Sequence, residues 1–437
     1  MAKKLLLINA INPLSEVQYR WPNLGLGYLA SSIRIRFGRE FDIRIIDRAV
    51  KEEISTYSPH IVGITAVSQN YNYAKQYAAC AKAAGAFVII GGMHISSLPT
   101  TMTPDMDVAV IGEGERVICD LLELHLDGKP VPRTMQAESL IDPLDQIPRP
   151  ARDLLNIRVQ SSLFSSRGCP YRCTFCFSSR YWRKVRFFSA EYVAEELIEM
   201  ARMGVRRANF YDDLFVADKK RLVRLANIIR HEPALAKMRF WCNCRANTVT
   251  DETAEIMASM GVVSVGMGLE SGNERTLEYL KGGSVSVEDN YAAVRILHKH
   301  GIAATASFVI GSPDETEAEI MDTYRFIQKS GLDFVDAFHL IPFPCTPVWE
   351  EAMARGLVSE DMDWNRLNVY WTRKDDPIVM SRHLSRTDLD RIYAKFQRLR
   401  LWIAFKRAWF HPFFKEMVKA GVKKSINSAR MLCQRSA

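Results

Sequence analysis

The sequence lacks long apolar runs and lacks a secretion signal. Nowhere in its 437 residues is there a stretch of about 18 uncharged apolar residues, the length that a membrane-spanning helix requires. The apolar run from Leu5 to Ile8 follows two lysines, but it is too short to form the core of a signal peptide. These absences argue against a membrane-spanning or secreted protein, and we expect a cytoplasmic one.

The sequence also lacks a concentrated basic region of the kind that binds nucleic acid. Its formal net charge is +8, but the Lys and Arg residues are spread along the chain and are densest only near its C-terminal end. Proteins that bind nucleic acid cluster their basic residues on one face or along one helix. We therefore expect no nucleic acid partner.

Cysteine is scarce, with nine residues in the whole chain. In a protein that is not secreted, closely spaced cysteines bind metals or take part in catalysis more often than they form disulfides. Most of the cysteines are scattered, whereas Cys169, Cys173 and Cys176 lie close together. These three are the candidates for a functional site.

Short apolar runs rich in β-branched residues alternate with amphipathic helical patterns through the first 128 residues. This βα alternation predicts a parallel sheet with helices on both faces, as in a flavodoxin-like (Rossmann-type) domain over residues 1–128. Ligands of such sheets bind at the carboxyl ends of the strands. The predicted loops there are polar and contain glycine, which lets a bulky ligand approach the backbone.

A proline-rich stretch over residues 129–160 interrupts the alternation and is typical of a linker between domains. A second βα series with six predicted strands follows. Repeats without strand reversal predict a partial (βα)6 barrel over residues 161–347, with its chemistry at the C-terminal ends of the strands. Residues 348–437 lose the alternation and are expected to form a mainly helical segment. The chain is therefore predicted to be of the α/β class.

The cysteine triplet follows the first strand of the second series, in the segment Arg167-Gly-Cys-Pro-Tyr-Arg-Cys-Thr-Phe-Cys. Thiolates favour iron-sulfur clusters, zinc or copper(I), and a four-iron cluster held by three thiolates keeps one iron open. Structural zinc requires a fourth ligand at ordinary spacing, and after Cys176 the next His or Cys is His231. The pattern favours a [4Fe-4S] cluster over a zinc site and over three incidental cysteines.

The CxxxCxxC spacing, with Phe175 before the last cysteine and Gly-Cys-Pro-Tyr at its start, resembles the signature of the radical S-adenosylmethionine superfamily. The segments Gly91-Gly-Met-His-Ile-Ser and Ile111-Gly-Glu-Gly-Glu resemble the cobalamin-binding domain that one subgroup, the class B radical methylases, carries in front of its barrel. The resemblance covers about residues 3–345.

The resemblance implies a [4Fe-4S] cluster whose open iron binds S-adenosylmethionine. Reductive cleavage, with an electron from a reductant such as flavodoxin or ferredoxin, would give a 5′-deoxyadenosyl radical that removes a hydrogen atom from the substrate. The positions that match the family's contacts with S-adenosylmethionine are Phe175, Asp212, Asp213, Arg245, Glu270, Ser271 and Gly311. The aspartate pair has an alternative role in capping the next helix. Asp314 stands where the family usually has glycine in the turn that contains Gly311.

The resemblance also implies cobalamin, held between the two domains. The residues expected to cradle it are Leu26, Ser68, Gln69, Asn70, Gly91, Gly92, His94, Gly112, Glu113 and Gly114. The Asp-x-His-x-x-Gly motif that supplies a cobalt ligand in other cobalamin proteins is missing, and only His60 to Gly63 matches its second half. His94 is either a cobalt ligand or a hydrogen-bonding residue in its turn. The alternative to cobalamin binding is a sheet that only packs against the barrel.

These features predict a cobalamin-dependent radical enzyme that methylates an unactivated carbon of a small biosynthetic molecule. The alternatives are a radical cyclase or rearrangement enzyme that transfers no methyl group, and a non-catalytic cobalamin or iron-sulfur sensor. Cys345 follows the last predicted strand and is expected either to contact substrate or to be a buried thiol. The aromatic and basic stretch from Leu399 to Lys424 either docks on the barrel or contacts a membrane surface, which would suit a lipid-like substrate.

Overall fold

Two parallel β-sheets organise the computed structural model, which describes residues 2–13, 21–369 and 376–408. In chain order the strands are β1 (Lys3–Asn9), β2 (Phe41–Ile46), β3 (Ile61–Thr65), β4 (Phe87–Gly91), β5 (Val108–Ile111), β6 (Thr134–Gln136), β7 (Gln160–Leu163), β8 (Ser166–Arg167), β9 (Arg186–Phe187), β10 (Arg207–Phe210), β11 (Arg239–Cys244), β12 (Val262–Glu270), β13 (Ala303–Ile310) and β14 (Phe334–His339). The helices are α1 (Leu24–Phe37), α2 (Val50–Tyr57), α3 (Tyr71–Ala83), α4 (Met93–Ser97), α5 (Val117–Leu126), α6 (Ser178–Trp182), α7 (Ala190–Arg202), α8 (Lys219–His231), α9 (Asp251–Ser259), α10 (Glu274–Lys281), α11 (Val287–Lys299), α12 (Glu317–Ser330), α13 (Pro347–Ala354) and α14 (Arg386–Ala408). The predicted α/β class is confirmed.

The N-terminal sheet has the order β2-β1-β3-β4-β5-β6, and every neighbouring pair is parallel. The order of its first five strands is that of flavodoxin-like domains. Helices α1 and α5 cover one face, and α2 and α3 cover the other. Because both faces are covered, β1 is an uninterrupted apolar run that is buried from Leu5 to Ile8. The prediction of a flavodoxin-like sheet is confirmed.

The segment predicted as a linker contains regular structure. Strand β6 lies within it, pairs with β5 and extends the edge of the N-terminal sheet. Leu144 and Ile147 of the same segment are buried in the core of the second sheet. Strand β6 was not predicted, because Thr134 and Gln136 are exposed polar residues at a sheet edge.

The second sheet has the order β7-β10-β11-β12-β13-β14 and is parallel throughout. In the described chain β7 and β14 are its two edges, so the barrel is open on one side. Its core combines the sheet with the buried faces of the helices that connect the strands. This arrangement confirms the predicted partial (βα)6 barrel.

The C-terminal segment contacts both sheets. A 3-10 helix over Trp364–Leu367 packs on the N-terminal domain, where the ring of Trp364 lies edge-on to that of His94, 4.4 Å between centroids. Helix α14 packs along β14, and Arg391 forms an ion pair with Glu317 of α12 at 2.7 Å. The predicted helical segment is confirmed in the described part of the chain.

The described part of the predicted aromatic tail docks on the barrel through one face of α14. Leu399 and Ile403 are buried, whereas Leu401, Trp402 and Phe405 are exposed. Residues 409–424 of the tail lie outside the described residues. No helix in the described ranges combines the length and the apolar character that crossing a bilayer requires.

Glu315 stabilises the turn that follows β13. Its carboxylate accepts hydrogen bonds from the backbone N–H of Gly311 at 2.8 Å and of Ser312 at 3.1 Å, and its side chain is buried. Burial raises the pKa of Glu315 from 4.5 to about 7, because the charged carboxylate is poorly solvated there. In the unfolded chain Glu315 ionises near its ordinary pKa. The contribution of Glu315 to the stability of the fold is therefore greatest at low pH and falls as the pH rises from about 4.5 to about 7.

Glu315→Gln removes this titration and keeps an oxygen for both N–H groups. Between about pH 4.5 and 7.5 we expect the free energy of unfolding of the variant, relative to wild type, to rise by about 3 kcal/mol. Thermal unfolding of the anaerobic protein, followed by circular dichroism across this range, measures the difference. Parallel pH profiles for the two proteins would contradict the prediction.

Glu319→Gln is the control of opposite sign. A hydrogen bond from Arg275 lowers the pKa of Glu319, so its charged form stabilises the fold. Removal of this charge should lower stability at neutral pH, and the loss should disappear in acid as wild-type Glu319 is protonated.

Candidate active site

A two-stranded antiparallel ribbon holds the ends of the cysteine loop. Strands β8 and β9 pair across it, with Arg167 opposite Arg186, so that residues 168–185 form a closed loop. The loop begins at Gly168, whose φ is +97° and where an added Cβ would lie 2.8 Å from the carbonyl oxygen of Lys184. Only glycine fits this position without moving backbone. The Gly-Cys lead-in seen in the sequence is thus a steric requirement of the loop.

Hydrogen bonds to the backbone fix the part of the loop that carries the cysteines. The Arg180 guanidinium donates to the carbonyl oxygens of Cys173 and Cys176, at 3.0 and 2.5 Å. The backbone N–H of Thr174 donates to the carbonyl oxygen of Leu280 at 3.0 Å, which ties the loop to the end of α10. The three thiols are half-buried and form no disulfide.

Two buried cations face the cysteine loop from the barrel. Arg245, just after β11, donates to the Cys173 sulfur at 3.3 Å, and its guanidinium lies 4.1 Å from the centroid of the Tyr171 ring. Lys281, the last residue of α10, is buried and donates to the carbonyl oxygen of Gly268. Positive charge at this point suits thiolate ligands, since a thiolate-bound cluster is anionic.

Glu270, the last residue of β12, lies near enough to both cations to interact with their charges. Burial raises the pKa of Glu270 and lowers that of Lys281. The positive charges of Lys281 and Arg245 act against the effect of burial on Glu270 and favour its ionised form. The backbone of Glu270 has φ +65°, an uncommon conformation for a residue other than glycine. Such outliers concentrate at functional sites, because the surrounding fold must hold them in place.

The chemistry and setting of these residues fit a [4Fe-4S] cluster. Three soft thiols stand on one fixed loop, and a buried carboxylate with two cations stands beside them. Among the described residues no three His, Cys, Asp or Glu side chains converge as they do around a single ion. A four-iron cluster makes no such demand, because each thiolate binds its own iron atom.

The structure separates the two predicted aspartates. Asp212 is buried and its carboxylate accepts hydrogen bonds from Ser165 N–H, Ser165 Oγ and Ser166 Oγ, at 2.5 to 2.8 Å. Asp213 accepts from Ser178 Oγ at 2.5 Å and lines a cavity between the two domains. The surrounding protein partly desolvates the carboxyl group of Asp213 and so raises its pKa, although the residue is exposed. A ligand in the cavity can therefore reach Asp213. The carboxylate of Asp212 is already hydrogen-bonded to Ser165 and Ser166 and connects the end of β10 to the start of β8.

The other predicted contacts for S-adenosylmethionine have mixed surroundings. Ser271 is buried, with its Oγ 3.0 Å from Thr323 Oγ1, and Gly311 donates its N–H to Glu315. Phe175 is half-buried against the apolar cluster that the N-terminal domain shares with the C-terminal segment. These three residues shape the site mainly through packing and backbone position.

A cavity of about 430 Å³ lies between the carboxyl edge of the N-terminal sheet and the first strand of the barrel. The predicted cobalamin residues that line it are Leu26, Asn70, Gly91, Gly92, Gly112, Glu113 and Gly114. Aromatic side chains of the barrel domain form the opposite wall, namely Phe164, Tyr181, Trp182 and Tyr211. A glycine-edged cradle that faces an aromatic wall fits a large planar ligand. No local sequence pattern marks this wall, because its residues come from three separate segments.

Three predicted cobalamin residues, Ser68, Gln69 and His94, are not among those that line the cavity. His94 is fully buried, its ring nitrogens lie 3.1 Å from Ser68 Oγ and from Thr101 Oγ1, and its ring stacks on Tyr71. Burial lowers the pKa of His94 to about 3. These contacts correspond to the hydrogen-bonding interpretation of His94 and leave neither nitrogen directed to the cavity.

Cys345 lies beyond the last barrel strand, at the boundary with the N-terminal domain. Its thiol is exposed and lies 3.4 Å from the carbonyl oxygen of Ser97, the last residue of α4. Its backbone has φ +62°. The thiol is thus neither buried nor among the residues that line the cavity.

Buried charges that the sequence did not reveal connect the two domains beside the cavity. Arg167 binds Glu113 at 2.6 Å and Glu115 at 2.5 Å, and Arg186 binds Glu113 at 2.8 Å. Burial acts to raise the pKa of Glu113, but hydrogen bonds from Arg186 and Arg167 hold it below its usual value. Of these four side chains, Glu113 alone was predicted as a site residue, and no local pattern relates it to Glu115 or to the two arginines.

Two family models match the chain. The radical SAM superfamily matches residues 163–327, which include the cysteine loop and most of the barrel. The B12 binding domain matches residues 13–122, which include the glycine-edged side of the cavity.

Several known proteins are similar over most of the chain. An uncharacterized methyltransferase of Pyrococcus horikoshii is 31% identical over 86% of this chain and 86% of its own. The anaerobic magnesium-protoporphyrin IX monomethyl ester cyclase of Rubrivivax gelatinosus is 25% identical, over 92% of this chain and 77% of its own. The fold is similar to that of the radical S-adenosylmethionine methyltransferase TsrM from Kitasatospora setae, solved with cobalamin and a [4Fe-4S] cluster, with a TM-score of 0.67, 18% identity and coverage of 87% and 81%.

Alanine at Cys169, Cys173 or Cys176 should prevent assembly of the cluster, because two thiolates cannot hold the three irons. We expect each variant, reconstituted without oxygen, to lose most of the iron and sulfide that the wild type binds, as measured by metal and sulfide analysis. Cys80→Ala, on α3, is the control and should retain both. Wild-type protein that contains zinc in place of iron would overturn the assignment.

Larger side chains at Gly91 should exclude cobalamin from the cavity. A Cβ at Gly91 meets its nearest neighbour, the carbonyl oxygen of Val110, only at 3.9 Å, so Gly91→Ala should fold and bind normally. Gly91→Phe should extend a ring into the cavity and weaken hydroxocobalamin binding more than tenfold, or by more than about 1.4 kcal/mol. Titration followed by visible absorbance measures both. Equal affinity of the two variants would contradict the placement of the corrin.

Proposed function

The chain belongs to the radical SAM superfamily and carries a B12-binding domain ahead of its radical SAM domain, and we propose that it methylates an unactivated carbon of a small biosynthetic molecule. The observation that carries this proposal is the cavity between the two domains, which has the glycine-edged strand ends on one side and Asp213 with the aromatic wall on the other. A methyl donor bound on the first side would face a substrate on the second.

When bound, the cluster supplies an electron that cleaves S-adenosylmethionine, and cobalamin carries the methyl group. The protein's part is to bind, orient and exclude water. We assign Cys169, Cys173 and Cys176 to the cluster. Arg245 and Lys281 supply positive charge for the carboxylate of S-adenosylmethionine, which their position beside the cysteine loop supports.

Acidic groups are assigned to the remaining polar parts of S-adenosylmethionine. Asp213 is proposed to accept N–H bonds from its amino group, because its carboxylate faces the cavity at the end of β10. Glu270 is proposed to contact its ribose or methionyl part from the end of β12. Glu270 is buried, so a hydrogen bond that it forms with a ligand would be stronger than one formed in water. Asp213 is exposed, so a ligand in the cavity can reach its carboxylate.

The aromatic wall is proposed to bind the substrate and keep water away from the reacting carbon. The rings of Phe164 and Tyr211 contact each other edge-on at 6.0 Å, and Trp182 contacts Tyr181 at 4.7 Å. Paired rings hold their positions without a ligand, so little side-chain freedom is lost when one binds.

The proposed setting is the cytoplasm, with a small-molecule substrate, a reductant such as flavodoxin or ferredoxin, and no nucleic acid partner. For a lipid-like substrate, the exposed Leu401, Trp402 and Phe405 beside Lys406 support peripheral contact with a membrane surface. The alternative function is radical cyclisation or rearrangement, which the similarity to the Rubrivivax gelatinosus cyclase favours.

Transfer of a labelled methyl group to cobalamin tests the proposal without knowledge of the substrate. Protein loaded with the cluster and cobalamin is reduced without oxygen and incubated with S-adenosylmethionine that carries a labelled methyl group. We expect labelled methylcobalamin on the protein together with 5′-deoxyadenosine, both measured by chromatography and mass spectrometry.

The products separate the candidate functions. Formation of 5′-deoxyadenosine with no label on the bound cobalamin would exclude methyl transfer and favour cyclisation or rearrangement. Absence of both products would favour a sensor. Protein from the Cys173→Ala variant is the control and should give no 5′-deoxyadenosine, because reductive cleavage needs the cluster.

A further inference from the structure

We propose that Arg167 is a positioning residue that couples occupancy of the cobalamin cavity to the cysteine loop, so that cobalamin and S-adenosylmethionine each bind more tightly in the presence of the other. This inference rests on the proposed function and adds its regulation. It comes from the contacts that the turn at residues 112–115 makes with both ends of the cysteine loop.

Arg167 makes the contact at the start of the loop. Its backbone lies in β8, two residues before Cys169. Its guanidinium binds Glu113 through one nitrogen and Glu115 through the other, at 2.6 and 2.5 Å. Both glutamates line the cavity, as does Arg167 itself. A ligand that moves this turn therefore moves the residue from which the cysteine loop begins.

Tyr181 and Arg186 make the contacts at the end of the loop. The hydroxyl of Tyr181, in α6, donates to the carbonyl oxygen of Gly112 at 2.8 Å. Arg186, paired with Arg167 in the ribbon, donates to both oxygens of Glu113, at 2.8 and 2.9 Å. Trp182 lies beside both guanidinium groups, 5.3 and 5.8 Å from its ring centroid. The turn is thus held from both sides of the loop.

The charges in this network balance, and its side chains are buried. Two carboxylates face two guanidinium groups, and each of the four side chains is less than a tenth exposed. Buried charges tolerate displacement poorly, because a broken contact leaves an ion unpaired in a medium of low dielectric. A shift of the turn is therefore passed to Arg167 and is not absorbed locally.

Coupling between two binding sites is reciprocal and falls within about 5- to 150-fold in affinity for known cases. In wild-type protein with an oxidised cluster, which cannot cleave S-adenosylmethionine, we expect saturating hydroxocobalamin to lower the Kd of S-adenosylmethionine at least about 5-fold. Equilibrium dialysis with labelled S-adenosylmethionine measures the ratio.

Arg167→Lys tests the role of the guanidinium. Lysine keeps the charge but lacks the rigid guanidinium fork that holds Glu113 through one nitrogen and Glu115 through the other. We therefore expect the ratio of the two Kd values to fall to about 1 while the iron content stays at the wild-type level. Glu115→Gln, which weakens the same bridge from the other side, should reduce the ratio as well and provides a second test if Arg167→Lys does not fold.

Arg152→Lys is the matched control. Arg152 is also a buried arginine paired with a buried glutamate, Glu196, and it donates to the carbonyl oxygen of Ser162 at 2.9 Å, but it does not line the cavity. We expect this variant to lose stability and keep the wild-type ratio. A wild-type ratio of 1, or an Arg167→Lys protein that keeps the full ratio, would overturn the inference and leave the proposed function intact. If the wild-type protein binds no hydroxocobalamin, both the inference and the proposed function are contradicted.

Discussion

Four buried charges hold the two sheets in the arrangement on which the candidate site depends. Glu113 and Glu115 lie in the turn at residues 112–115, directly after β5. Arg167 and Arg186 belong to the ribbon that closes the cysteine loop, and they pair with these glutamates. Such a network contributes little net stability compared with apolar packing, but loss of one partner costs about 3 to 5 kcal/mol because the other remains charged and unpaired. Its effect is to select one relative position of the two domains. The cavity is lined by residues of both domains, and the cysteine loop begins at one of these residues, so both depend on that relative position.

A second group of charged side chains lies near the cysteines. The barrel places Asp213, Glu270, Arg245 and Lys281 at or near the carboxyl ends of its strands, and the proposed function assigns these charges of both signs to the polar groups of S-adenosylmethionine. Buried ionisable groups are costly unless they are paired. The fold meets this cost by placing Lys281 and Arg245 near Glu270, where their positive charges favour its ionised form.

The C-terminal segment contributes to the same arrangement from the outside. Trp364 packs against His94 and lies 6.2 Å from Tyr71, which anchors the segment on the N-terminal domain. Helix α14 covers β14, the barrel edge that would otherwise expose unpaired backbone groups. His94 is therefore part of a packed aromatic cluster, and its distance from the cavity follows from this packing.

The sequence by itself determined the class of fold and the loop that carries the three closely spaced cysteines. Strands of a parallel sheet that are buried on both faces appear in the sequence as continuous apolar runs, and here such runs alternate with helical patterns. The spacing of Cys169, Cys173 and Cys176 is likewise a local feature, because all three lie on one loop. Local pattern could not reveal β6, whose exposed polar residues are held by pairing with β5, nor Lys281, which has the appearance of an ordinary helix C-terminal lysine.

The tertiary structure decided which of the predicted residues reach the cavity and which other residues join them. Asp213 lines the cavity, whereas Asp212 is hydrogen-bonded away from it, and His94 is buried in the core. Phe164, Trp182 and Tyr211 come from distant segments and meet only in the fold. The physical reason is that a residue's direction at a strand end depends on the loops and the second domain packed against it. These contacts join residues far apart in the chain, so no local sequence pattern records them.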